Sequence, residues 1–185
     1  MIIHFIGPGG AGKTTTAIHL AQRMGVSYHD LDQCFLATEG NISQYINKNG
    51  YSRYAIRNIQ LYLELRESFD TNRLNIIVCS SGFMTYQIDI CPSYKKIRQE
   101  IEFNPFTFLL IPSLEVESCT KEIVRRQLKR SYLDSSIKRE EEKIRSRFPI
   151  FIDFKCKRIL TNDDPKNIAE EIYARLLDLI PIYLT

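Results

Sequence analysis

The chain is expected to fold as an α/β domain built on a parallel sheet, and three features of the sequence say so. Short β-branched apolar runs alternate with stretches of helical periodicity from one end to the other. Gly7-Pro8-Gly9-Gly10-Ala11-Gly12-Lys13-Thr14 follows the first of these runs, Ile2-Ile3-His4-Phe5-Ile6, without a gap. No internal repeat, low-complexity tract or linker interrupts the 185 residues, so a single unit, 1–185, is expected.

The spacing G-x-x-x-x-G-K-[ST] between a strand and a helix is that of a P-loop. Glycines at 7, 9, 10 and 12 allow successive backbone N–H groups to turn toward one anion, along a path that side chains would obstruct. A helix starting near Lys13 adds its positive end. Gly9, Gly10, Ala11, Gly12, Lys13 and Thr14 are therefore candidates for binding ATP, with Lys13 on the β- and γ-phosphates and the Thr14 hydroxyl on Mg²⁺. A Gly-rich turn with a chance lysine would not explain why strand, loop, Lys-Thr and helix occur in this order.

Ala17, Leu20, Ala21 and Met24 share one side of that helix, and Gly25 ends it. Residues 26–29 read as a short second strand delivering Asp30-Leu31-Asp32 to the carboxyl edge of the sheet, where ligands of open parallel sheets collect. One carboxylate can hold Mg²⁺ through water while the other orients or deprotonates an attacking hydroxyl. Either could instead cap the helix that follows. Residues 42–69 are helical and aromatic, with Tyr45, Tyr51, Tyr54 and Tyr62 among Arg53, Arg57 and Arg66, and a break at Gly50. Arginines here suit an anionic substrate, whereas most of the tyrosines read as packing.

Residues 74–79 form a β-branched run fit for a central strand, ending in Ser80-Ser81-Gly82-Phe83. Gly82 would admit close approach of a substrate, although a plain turn accounts for it almost as well. A helix is expected at 93–103, a strand at 106–111, a helix at 114–130, a loop at 131–136 and a second basic helix at 137–147 that stops before Pro149. Residues 121–147 hold ten Lys/Arg against five Asp/Glu, a local excess larger than the +3 of the whole chain. Such a segment suits a lid over a polyphosphate, and equally a solvated helix face. A short strand at 157–161 leads to Asn162-Asp163-Asp164-Pro165, with Asp164 as cap and Pro165 opening the last helix, which runs through 168–179.

Composition narrows the class further. Apolar residues make up 44% and charged ones 25%, an ordinary globular balance, and the net charge gives no argument for nucleic acid. Five scattered cysteines form no C-x-x-C pair, which fits a reduced compartment. The first apolar run lacks a charged leader and is too short for a signal peptide or membrane span, so a soluble, cytoplasmic protein is expected, and a monomer is expected separately.

With these residues placed, residues 2–177 resemble shikimate kinase, of the nucleoside-monophosphate-kinase group of P-loop phosphotransferases. Four segments carry the resemblance: Gly7 to Thr15, Asp30-Leu31-Asp32-Gln33, Gly82, and Ser146-Arg147-Phe148-Pro149-Ile150-Phe151. The resemblance implies a three-layer P-loop kinase fold with a five-stranded parallel sheet, helices on both faces, substrate-binding helices at about 32–69 and a small helical lid at about 121–147. It implies transfer of the γ-phosphoryl of Mg·ATP to a hydroxyl of a small anionic acceptor, shikimate first. Thr15 joins the ATP site, Asp32 becomes base or positioner, and Asp30 helps Thr14 hold Mg²⁺. Arg126 and Arg130 look like lid arginines near adenine and the phosphates, the latter catalytic, and Pro165 lies in the adenine-side turn. Gly82 and Arg147 look like acceptor-binding residues, Arg147 for a carboxylate.

Two departures fall on the acceptor side. Where the family has a Phe-Arg pair this chain has Tyr54-Ala55, leaving Arg53 or Arg57 to replace the arginine from a neighbouring turn. The family's three glycines are here Ser81-Gly82-Phe83, which puts a phenyl ring where an acceptor ring is expected. Another acceptor (a cyclitol, sugar acid or nucleotide) and a nucleotide-dependent binding module are the alternatives.

Overall fold

Among the described residues the alternation of apolar runs is realised as five strands: β1 (Ile2–Ile6), β2 (Ser27–Asp30), β3 (Asn75–Val78), β4 (Thr107–Ile111) and β5 (Lys157–Leu160). The computed structural model describes the backbone of residues 1–128 and 137–184. All strand pairings are parallel, in the order β2-β3-β1-β4-β5. The connecting helices are α1 (Lys13–Met24), α2 (Leu31–Glu39), α3 (Ile42–Asn49), α4 (Tyr51–Glu67), α5 (Tyr94–Phe103), α6 (Val116–Leu128), α7 (Ile137–Asp153) and α8 (Pro165–Leu184).

Period-two alternation in β1 sends its side chains to opposite faces, and both faces are covered. Ile3 and Phe5 pack with Ala17 and Leu20 of α1 and with Ile172 and Leu176 of α8. Ile6 lies on the other side with Leu31, Phe35, Ile59 and Phe151. The result is the expected three-layer arrangement. Because β1 lies between β3 and β4, the direction of winding reverses at its carboxyl end. The first loop leaves the sheet at that crevice.

Pro149 does not end α7, contrary to expectation: the helix runs through it to Asp153. The proline lacks the N–H that would bond to the carbonyl four residues earlier. That loss is local, whereas the extra turn buries Phe151 and, just beyond it, Phe154, each almost fully. Burying the two aromatic rings, roughly 2 kcal/mol each, outweighs the roughly 3 kcal/mol that a proline inside a helix costs through its missing hydrogen bond and its ring clash.

Candidate active site

The phosphate loop has the backbone its glycines require. Gly7, Gly10 and Gly12 have φ of 137°, 80° and 91°, which L side chains rarely adopt. Gly7 is constrained twice, since a Cβ there would stand 2.2 Å from the carbonyl oxygen of Leu110 in β4. Lys13 is buried at the start of α1, and its ammonium donates to the carbonyls of Gly7 at 2.8 Å and Pro8 at 2.9 Å. Thr14 is half-buried beside it and Thr15 is exposed.

The second strand brings its acidic end to the same place. Thr14 donates its hydroxyl to Asp30 Oδ2 at 2.6 Å, so the two residues expected to hold a metal are in contact. Asp30 also caps α2, its Oδ1 accepting from the backbone N–H of Asp32 at 2.9 Å. The capping reading of Asp30 is realised through Oδ1, while Oδ2 lies on the Thr14 hydroxyl. Asp32, one residue into α2, is exposed at the edge of the cleft. Hard carboxylate and hydroxyl oxygens suit Mg²⁺, which takes a few protein ligands and completes its shell with phosphate and water.

The third strand ends at Gly82, and here the structure adds a residue. The Tyr51 hydroxyl lies 2.6 Å from where a Gly82 Cβ would be, and Arg147 Nη2 lies 3.4 Å from it. Arg147 donates to the same hydroxyl at 2.9 Å. Gly82 has an ordinary helical backbone, so its lack of a side chain matters for space and not for conformation. The ring of Tyr51 packs against Tyr54 and Tyr86, with centroids 5.7 and 6.0 Å away. Beneath these rings the buried Asn58 amide donates to Ser80 Oγ at 2.8 Å and to Tyr86 Oη at 2.9 Å, which stiffens the floor. Burial pushes the Cys79 thiol up to about 12, so the thiol near this floor is no nucleophile.

Phe83 departs from expectation. Its side chain is fully buried among Tyr62, Tyr86 and Tyr94, in a short 3₁₀ turn Phe83–Thr85, so its ring leaves the cleft open. Ala55 is buried as well and presents nothing to the cleft. Arg57 is held elsewhere, Nε on Glu39 at 2.6 Å and Nη1 on Glu64 at 2.7 Å, bracing α2 against α4. Arg53 is exposed, with no ion pair among the described residues.

On the opposite side, Arg126 of α6 donates to the hydroxyl and the carbonyl of Thr161. That contact brings it to the turn preceding Pro165, where Asp164 Oδ1 accepts from Lys166 N at 2.9 Å as a helix cap. Arg130 lies outside the described residues. Gln127, which no motif signalled, is buried against Gly9 and Gly10 and donates to the Gly9 carbonyl at 3.1 Å. It ties the end of α6 to the phosphate loop. Tyr51 and Gln127 had no signal beyond helical spacing, because each acquires its position from a partner far along the chain.

The chain is similar to known proteins in sequence and in fold. The shikimate kinase family model matches residues 9–177. Curated shikimate kinases of Shewanella pealeana and Shewanella woodyi are 36% and 32% identical over 81 residues, 43% of this chain. The matched stretch spans 44% of the length of each of those relatives. Among solved structures, shikimate kinase from Acinetobacter baumannii in complex with shikimate superposes with a TM-score of 0.70 at 24% identity, covering 96% of this chain and 93% of that one. A deoxyadenosine kinase from M. mycoides gives 0.63 at 18% identity, covering 97% and 100%. The two structural likenesses carry the fold. The family match, running from the phosphate loop into the last helix, shows that the chain belongs to the shikimate kinase family.

Proposed function

We propose that the protein is an ATP-dependent kinase that moves the γ-phosphoryl group to a hydroxyl of a small anionic metabolite, with shikimate as first candidate. One observation carries the reading: the phosphate loop, the Asp30–Asp32 pair and the Gly82–Tyr51–Arg147 wall meet at one carboxyl edge of the sheet. Residues 1–185 act as one kinase unit, with 32–69 forming the acceptor side and 121–147 closing over the nucleotide. The protein works as a monomer, and none of the described helices is long and apolar enough to cross a membrane.

Loop amides from Gly9 to Thr15 cradle the phosphates, and Lys13 exchanges its two carbonyl partners for phosphate oxygens. Thr14 and Asp30 would hold Mg²⁺, which would supply positive charge to the β- and γ-phosphates. Asp32 aims the acceptor hydroxyl and receives its proton as the oxygen bonds to the γ-phosphorus and the bond from that phosphorus to the bridging oxygen breaks, releasing ADP. Arg126, anchored at Thr161, and Arg130 supply positive charge on the nucleotide side. Arg147, beside Gly82, receives the acceptor's carboxylate.

ADP release with shikimate and Mg·ATP tests this, with Asp32→Asn expected to retain nucleotide binding and lose transfer. Full turnover by that variant would remove Asp32 from the mechanism. The buried Ala55 favours a second reading, the same transfer to another acceptor. A panel of cyclitols, sugar acids and nucleosides decides it.

A further inference from the structure

The Tyr51 hydroxyl stands in an unusual position for a phenol that merely packs. It is at the first residue of α4, 44% exposed, and it accepts a hydrogen bond from the guanidinium of Arg147. No acceptor for its own proton exists among the described residues. Burial holds the phenol above its ordinary range and the Arg147 charge offsets this in part, so at neutral pH the proton is present. An O–H whose oxygen already accepts from a cation is a strengthened donor. The two donors converge over Gly82, where a Cβ would collide with the hydroxyl and lie 3.2 Å from the Tyr86 ring.

We infer that Tyr51 is a specificity residue, whose O–H and the Arg147 guanidinium together grip one oxyanion, a carboxylate, of the acceptor. This rests on the proposed kinase reading and deepens it. The carboxylate takes one hydrogen bond from the phenol and one from Arg147. A neutral group there would leave a cation and a donor without their anion. The floor of aromatic rings and the Asn58–Ser80–Tyr86 cluster fix the phenol so that little rotamer freedom is lost on binding.

The test compares wild type with Tyr51→Phe, which removes only the hydroxyl, on shikimate and on its methyl ester. The expected result is a KM for shikimate raised about tenfold or more. The KM for the ester and the Kd for ATP should stay within about twofold of wild type. A KM for shikimate that does not move, or one that rises equally for acid and ester, would overturn the role and leave the ring as packing. Wild-type turnover on a cyclitol or nucleoside but on no carboxylated acceptor would overturn the Tyr51 role and leave the kinase reading standing, whereas absence of turnover on every acceptor would overturn the kinase reading, and the Tyr51 role with it.

Discussion

The two sides of the cleft are built differently. The phosphate side is made of contiguous backbone: one loop and one helix start supply amides, lysine and hydroxyl between Gly7 and Thr15. The acceptor side is assembled from side chains far apart in sequence, with Tyr51 and Arg147 separated by 96 residues. A backbone cradle tolerates almost no change, because each amide is positioned by its neighbours. A side-chain wall can change its ligand by single substitutions without loss of the fold, and it is on this side that the chain departs from the pattern of its family.

The sharpest way to break this comparison is Lys13→Ala. It should lower kcat by about a thousandfold, roughly 4 kcal/mol in the barrier, while circular dichroism stays native. A variant with near-normal turnover would show that the cradle works without its lysine. Gly7→Ala attacks the backbone itself. Both the positive φ and the 2.2 Å approach to the Leu110 carbonyl oppose a Cβ, so stability should fall by about 3 kcal/mol in urea titrations. A fall below about 1 kcal/mol would mean that the loop is more yielding than its geometry indicates.

The join between the two sides is sensitive to acid. His4 of β1 is buried, with Nε2 3.1 Å from the Tyr62 hydroxyl of α4 and Nδ1 3.2 Å from Asn104. Burial, and secondarily the charge of Arg66, push its imidazole down to about 3. The unfolded chain therefore binds a proton that the folded chain refuses, and stability falls as pH drops below about 6.5, levelling off near 3. Between about pH 7.5 and 4.5 this group should cost about 2.5 kcal/mol, and His4→Gln should flatten that part of the profile. An unchanged slope in the variant would assign the acid sensitivity elsewhere.

Gly82→Ala sharpens the contrast from the acceptor side. A Cβ there would stand 2.6 Å from the Tyr51 hydroxyl and 3.2 Å from the Tyr86 ring, so displacing the phenol should raise the acceptor KM about tenfold at a stability cost of about 1 kcal/mol. A large fall in melting temperature would show instead that the turn is packed against something rigid. Smallest of all, Arg57→Ala should leave the acceptor KM near wild type and cost under about 1 kcal/mol, as expected for a half-exposed brace. A large rise in KM would restore Arg57 as an acceptor ligand.

Much of the fold was readable because its signals are local. Gly25 ends α1 in the left-handed conformation, Gly50 separates α3 from α4 with φ of 84°, and Asp164 with Pro165 opens α8. Each depends on residues within a turn or two. The candidate site was readable where it is contiguous: Lys13, Thr14, Asp30 and Asp32 lie where the motif and the strand end place them. Gly82 at the end of its strand reads almost equally as a plain turn and Arg147 is marked by resemblance alone, and the structure brings them together through a tyrosine that helical spacing could not distinguish from Tyr45 or Tyr62.

The order of apolar runs and glycines alone determined a parallel sheet with an anion-binding loop at its edge, because strand alternation, positive φ and helix starts are set by neighbouring residues. Only the tertiary structure decided that Phe83 turns into the core, that Arg57 binds Glu39 and Glu64, that α7 continues past Pro149, and that Tyr51 meets Arg147 over Gly82. Those outcomes are settled by burial and charge pairing between distant segments. Such pairings exist only once the layers have packed.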